Sequence, residues 1–208
     1  MPAHRHTNRE IEVKLRVPDV EIILCELRNL GATCKSRVLE RNTLYDTPDS
    51  AFRKRGALLR IRIETPAPRS GEPAAGQAGR TILTSKAPAR PRSPNDRRYK
   101  EKLERELVVS NSPSRWHQIF RALGLRPAFR YEKYRTTFRL RSLPNLAFDL
   151  DETPAGTFLE LEGAPKFIDR AARALGFAPR DYYRGTYWDV YAADCRRRGR
   201  TPRNMVFG

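Results

Sequence analysis

Near the N-terminus, Arg9-Glu10-Ile11-Glu12-Val13-Lys14-Leu15-Arg16-Val17 alternates charged with apolar residues at every step from Glu10 onward. A β-strand sends successive side chains to opposite faces. Glu10, Glu12, Lys14 and Arg16 therefore share one face, and Ile11, Val13, Leu15 and Val17 the other. The apolar face marks a half-buried strand. The charged face spaces two carboxylates to share a cation, with an ammonium one step along. Taken alone, such a face is most simply a solvated one. Its recurrence along the chain argues otherwise.

Ala57 to Glu64 puts Leu58, Arg60, Arg62 and Glu64 on one parity and Leu59, Ile61 and Ile63 on the other. Two guanidiniums two residues apart form a fork for several phosphate oxygens. Thr81 to Lys86 aligns Ile82, Thr84 and Lys86. Glu101 to Val109 sets Lys102, Glu104 and Glu106 against Leu103, Arg105 and Leu107. Arg130 to Arg141 aligns Lys133 and Arg135 with Thr137. Leu146 to Asp151 pairs Asp149 with Asp151, and Thr157 to Gly163 pairs Glu160 with Glu162. A plainer strand spans Arg37 to Tyr45, followed by a turn at Asp46-Thr47-Pro48-Asp49 and a short irregular connection over Phe52 to Gly56.

Helices punctuate these strands. Asp19 is a fitting N-cap for one that ends at Gly31, with Cys25 in its core face. Ser112-Pro113-Ser114 opens another, ending at Gly124, and Pro165 to Leu175 forms a third, ending at Gly176. Tyr182 to Tyr191 packs as a final helix or turn. Glu10-x-Glu12, helix, Leu30-Gly31, strand is echoed by Glu104-x-Glu106, helix, Leu123-Gly124, strand. This hints at an internal duplication.

The 208 residues carry a net charge of +17, which calls for an anionic partner. Much of that charge sits in Pro-rich basic loops near 65–80 and 87–100 and in a basic tail, 195–208, expected to be flexible. Residues 1–194 read as a single domain. Nucleic acid is a partner only through the tail. Cys25, Cys34 and Cys195 form no metal-type pair and suit a reducing compartment. No apolar leader precedes Asn8 and no run is long enough for a membrane span, so a cytoplasmic protein with no membrane contact is expected.

Charge of both signs on one face of many strands suits a closed antiparallel barrel, with charges inside and helices on the apolar outside. The fold class is thus α+β. Such an interior must be neutralised or filled. Carboxylate ligands without His or Cys favour Mg²⁺ or Mn²⁺, and the Lys and Arg residues favour a polyphosphate. Together they point to a metal-bound triphosphate-containing small molecule.

These residues resemble those of the CYTH superfamily, the triphosphate tunnel metalloenzymes. Glu10-Ile11-Glu12-Val13-Lys14 resembles its Glu-x-Glu-x-Lys signature. Tyr45-Asp46-Thr47-Pro48, Leu59-Arg60-Ile61-Arg62, Leu83-Thr84-Ser85-Lys86, Lys133-Tyr134-Arg135, Asp149-Leu150-Asp151 and Phe158-Leu159-Glu160-Leu161-Glu162 follow in the family's order. The resemblance implies an eight-stranded tunnel. In it Glu10, Glu12, Glu160 and Glu162, with Asp149 or Asp151, hold metal. Lys14, Arg60, Arg62, Lys86, Lys133 and Arg135 grip phosphates. Glu104 and Glu106 bind metal or orient water, which makes Glu10, Glu12, Lys14, Glu104 and Glu106 the catalytic set. The implied activity is hydrolysis of inorganic triphosphate or a small organic one such as thiamine triphosphate, by a monomer or homodimer. The alternatives are a class IV-type adenylyl cyclase and a non-catalytic polyphosphate- or RNA-binding module.

Overall fold

The alternating segments all become strands, and the sheet they make closes on itself. The computed structural model describes residues 8–68, 79–89, 98–110 and 112–208. Its strands are β1 (Asn8–Val17), β2 (Thr33–Asp46), β3 (Leu58–Pro66), β4 (Arg80–Pro88), β5 (Lys100–Val109), β6 (Arg126–Leu140), β7 (Leu143–Thr153) and β8 (Gly156–Glu162). The helices are α1 (Val20–Asn29), α2 (Ala51–Lys54), α3 (Pro113–Ala122), α4 (Pro165–Ala174) and α5 (Tyr187–Arg197). The strands form a closed barrel in the order β1-β5-β4-β3-β2-β6-β7-β8, every pair antiparallel.

That order is unchanged when β1 to β4 are exchanged with β5 to β8, as an internal duplication requires. The helix ends repeat as well. Gly31 and Gly124 both take φ +77°, and each donates its N–H to the carbonyl three residues back, at 2.9 Å. This left-handed C-terminal stop is where glycine pays no steric penalty.

The apolar core lies outside the barrel. Val13, Leu15, Phe148, Leu150, Leu159 and Leu161 project outward and pack under Ile23 and Leu27 of α1 and Ile168, Ala171 and Ala172 of α4. A second outer cluster sets Tyr45 and Ile61 against Phe120 of α3. Where these helices cover the outer face, as on β1, β3, β7 and β8, the charged parity has only the barrel interior to face.

Several sequence expectations are corrected. β2 starts at Thr33 rather than Arg37 and β6 at Arg126 rather than Arg130, because the two strands pair along nearly their whole length. The irregular connection expected at 52–56 overlaps α2 (Ala51–Lys54), nucleated by Asp46. That carboxylate accepts the N–H groups of Thr47 (2.8 Å), Phe52 (2.9 Å) and Arg53 (3.0 Å). Asp46→Ala is expected to cost about 0.5–2 kcal/mol, as loss of a helix cap does, and a chemical-denaturation midpoint measures it. Ser112 makes no side-chain cap, and Cys25 is exposed rather than part of the core.

The basic tail is not free either. α5 runs into it, and Met205, fully buried, makes a parallel bridge to Tyr131, with Glu132 N–H to Met205 O at 2.8 Å and Met205 N–H to Arg130 O at 2.9 Å. β6 outruns β7, and the tail covers the backbone edge left over. Of the basic loops, 69–78 and 90–97 lie outside the described residues.

Candidate active site

Cross-strand register brings the expected residues into one interior. Glu12 stands opposite Glu162, Lys14 and Asp149 opposite Glu160, Arg135 opposite Asp151, Arg60 opposite Thr84 and Lys86 opposite Glu104. The side chains then fall into two regions.

The first is a dense ion-pair lattice. Arg135 reaches Asp151 at 2.6 and 2.7 Å, Asp149 at 3.0 Å, and Glu160. Lys14 also pairs with Glu160, and Lys133 with Asp151 at 2.8 Å. Burial pushes the Glu160 carboxyl up, but Lys14, Lys133 and Arg135 outweigh it and hold the group well below the usual range. Asp151 is raised, because its complete burial prevails over Arg135 and Lys133. Arg60 donates to Tyr131 Oη (3.1 Å), Thr84 Oγ1 (3.1 Å) and Glu106 (3.3 Å). Arg62 lies 3.5 Å from Glu40 and 3.2 Å from Glu64.

The second region is acidic. Glu10 accepts from Lys86 at 2.6 and 2.7 Å, and Glu12 from Lys100 at 2.6 Å. Among the described residues, no cation stands within ion-pair distance of Glu162. Burial, Glu10 and Glu12 push it up to about 8. Glu10 is raised to about 7 by burial and by Glu12, against the opposing pull of Lys86. Glu12 goes the other way, to about 2, because Lys100 outweighs its burial.

The folded chain thus holds protons on Glu10 and Glu162 that the unfolded chain, with carboxyls near 4.5, has lost. Stability falls as pH rises through that window, from about 4.5 to about 8. With chelator present, melting is expected roughly 4–8 °C lower at pH 8 than at pH 5.5. A flat profile would contradict the crowding.

Glu10, Glu12 and Glu162 fit a hard divalent cation in kind. Their donors are all oxygen, and two of the three are raised partly by their acidic neighbours. Among the described residues, however, no three such groups stand assembled at metal-holding spacing, since lysines occupy Glu10 and Glu12. Asp149, Asp151 and Glu160, also expected as ligands, are engaged with cations of the lattice.

Sequence reasoning missed Glu40, Lys100, Tyr131 and Tyr187 as site residues. Tyr187 of α5 donates to Asp151 Oδ2 at 2.6 Å, and its ring lies 4.1 Å from the Lys14 ammonium. Burial and then Asp151 raise the phenol far above its ordinary range, so it stays a donor. Trp188 packs edge-on to Phe129, and Tyr187 edge-on to Phe158. α5 thereby lies across the barrel end where β6 and β8 begin. Tyr131 shares parity with Lys133, and Lys100 with Lys102, Glu104 and Glu106; that parity was the available signal.

Residues 8–175 match the CYTH domain. The chain belongs to the CYTH family. The family's barrel appears in solved structures. A Vibrio parahaemolyticus protein provisionally named an adenylate cyclase aligns with TM-score 0.68 and 16% identity over 89% of this chain and 98% of its own. PH1012 of Pyrococcus horikoshii gives TM-score 0.66 and 25% identity over 87% and 98%. Hippeastrum HpAC1, provisionally an adenylyl cyclase and described as having a dominant triphosphatase activity, gives 0.56 and 18% over 93% and 97%. Identities this low speak to fold. Among curated proteins none matches the chain. CYTH enzymes act on triphosphates with a divalent metal, as adenylyl cyclases or triphosphatases. No helix among the described residues is long and apolar enough to cross a membrane.

Proposed function

We propose that this CYTH protein is a divalent-metal-dependent triphosphatase acting on inorganic triphosphate or a small organic triphosphate. The observation that carries this reading is the acidic group of Glu10, Glu12 and Glu162 beside a lattice of cations already paired to carboxylates. A bare polyanion would meet that acidic group unfavourably. Were a triphosphate to arrive with Mg²⁺ or Mn²⁺, its oxygens would offer the lysines and arginines new partners, and Glu10 and Glu12, freed of Lys86 and Lys100, would be available with Glu162 to hold the ion.

Glu10, Glu12 and Glu162 would hold the ion, which would neutralise charge on the phosphate oxygens. Arg60 and Arg62 grip from β3, Lys86 from β4, Lys133 and Arg135 from β6, and Lys14 from β1. Asp149, Asp151 and Glu160 keep Arg135, Lys133 and Lys14 oriented. Glu104 or Glu106, at the edge of the lattice, orients the attacking water. The water oxygen would attack the terminal phosphorus in line as the bridging P–O bond breaks; the remaining diphosphate portion departs with the bridging oxygen, the attacked phosphoryl becomes orthophosphate, and the proton lost from water passes to solvent.

The test is incubation of the purified chain with Mg²⁺ or Mn²⁺ and, separately, inorganic triphosphate, thiamine triphosphate and ATP, with product identification. Orthophosphate without cyclic AMP is expected, and none in excess chelator. Cyclic AMP and pyrophosphate from ATP would make it a cyclase. Metal-independent polyanion binding without turnover would make it a binding module.

A further inference from the structure

Lys100 heads β5, and the barrel register sets it opposite Glu12. Its Nζ lies 2.6 Å from Glu12 Oε1, with about four-fifths of the side chain covered (21% exposed). The position is pinned from outside the barrel. The buried Tyr99 donates its hydroxyl to Asp169 Oδ1 of α4 at 2.8 Å, and Tyr182 donates to the same oxygen at 2.9 Å. Lys102, two residues on, faces Glu10 in register, yet its ammonium goes to the Gly56 carbonyl at 2.7 Å. Lys100 alone of the two is committed to a carboxylate.

We propose that Lys100 is a built-in competitor of the divalent cation at Glu12. Its ammonium must leave the carboxylate before the ion can use it, and it thereby sets how tightly metal binds in the absence of triphosphate. This rests on the reading of Glu12 as a metal ligand. A charge-assisted contact in a sheltered site is among the stronger polar interactions, and breaking it subtracts directly from metal affinity. When triphosphate is present, the released ammonium gains phosphate oxygens as new partners, so the loss is recovered. Metal and triphosphate then reinforce one another's binding, a reciprocal coupling.

The experiment is Mn²⁺ titration of the full chain at fixed pH and ionic strength, followed by electron paramagnetic resonance. Lys100→Gln is expected to bind Mn²⁺ roughly 5–30-fold more tightly than the unsubstituted chain, the scale of one charge-assisted contact. Lys100→Arg, which keeps the charge, should stay within about threefold, as should Lys102→Gln. A methylene-bridged, non-hydrolysable triphosphate should shrink the Lys100→Gln advantage. Unchanged or weaker Mn²⁺ binding by Lys100→Gln overturns the proposal. So does an equal gain in Lys102→Gln, which would reduce the effect to net charge. Failure of every protein to bind Mn²⁺ would instead remove the metal reading of Glu12, and this inference with it.

Discussion

Glu40→Gln is expected to destabilise the barrel by about 3 kcal/mol or more, the scale for breaking a buried ion pair from one side. Glu40 is fully buried in the interior. Its carboxylate lies 3.5 Å from Arg62, 3.5 Å from Lys133 and 3.7 Å from Arg135. Burial alone would raise this carboxyl, but Arg62, Lys133 and Arg135 together drive it far below its usual range. The amide keeps the shape and removes the charge that these three cations share. A depressed folded-state pKa contributes stability that is fully present above the unfolded value of about 4.5 and is lost as pH falls. The variant should therefore lose stability at pH 7 and show a shallower acid limb than the unsubstituted chain. Urea denaturation at pH 7 and again below the unfolded carboxyl value of about 4.5 reads this out, with the midpoint moving at constant slope. An unmoved midpoint would mean that Asp151, Asp149 and Glu160 suffice to neutralise the lattice without Glu40.

Glu40 also shows where the sequence stops being legible. The sequence marks charged faces on seven of the strands, most plainly where the outward face is apolar because α1 or α4 covers it: β1, β7 and β8. There the alternation of charge with apolarity is clean. β2 has Arg37, Arg41 and Thr43 on its outward parity and Val38 and Leu44 on the inward one, so Glu40 carries no periodic signal. It becomes visible only when register places it between Lys133 and Glu64. Tyr187 was hidden for another reason. Its helix was legible only as an aromatic-rich segment, and nothing local tells that α5 crosses a barrel end. The tail was misread because its composition is that of a solvated chain. One buried Met205 and the exposed backbone edge of β6 outweigh that composition, and an unpaired edge is not a property that sequence displays. The internal duplication, by contrast, was written in short repeats, because the same strand–helix–strand turn demands glycine at φ +77° twice.

Glu12→Gln is expected to reduce triphosphate turnover on the order of 10²–10³-fold or more, the loss found when one preorganised electrostatic partner of a transition state is removed. Two effects on folding oppose one another here: the ionised Glu12 carboxylate, depressed to about 2 by Lys100 despite its burial, contributes stability that the amide forgoes. The amide oxygen still accepts from Lys100, and Lys100 reaches solvent at its exposed fifth. Crowding of Glu10 and Glu162 is also relieved, since Glu12 contributes to the upward push on both. The loss and the relief offset in part, so stability above pH 7 should fall far less than turnover does. In Glu40→Gln no crowding is relieved, and stability falls first. The divergence separates two kinds of buried acid. Glu40 neutralises cations that the chain itself supplies. Glu12 stands among carboxylates that the chain leaves under-neutralised. Raising Mg²⁺ or Mn²⁺ over a wide range should recover part of the rate if Glu12 acts by holding the ion, with the apparent metal requirement shifted upward. Loss of rate that no metal concentration recovers would place Glu12 in orienting substrate or water. Full activity in the variant would remove it from the site.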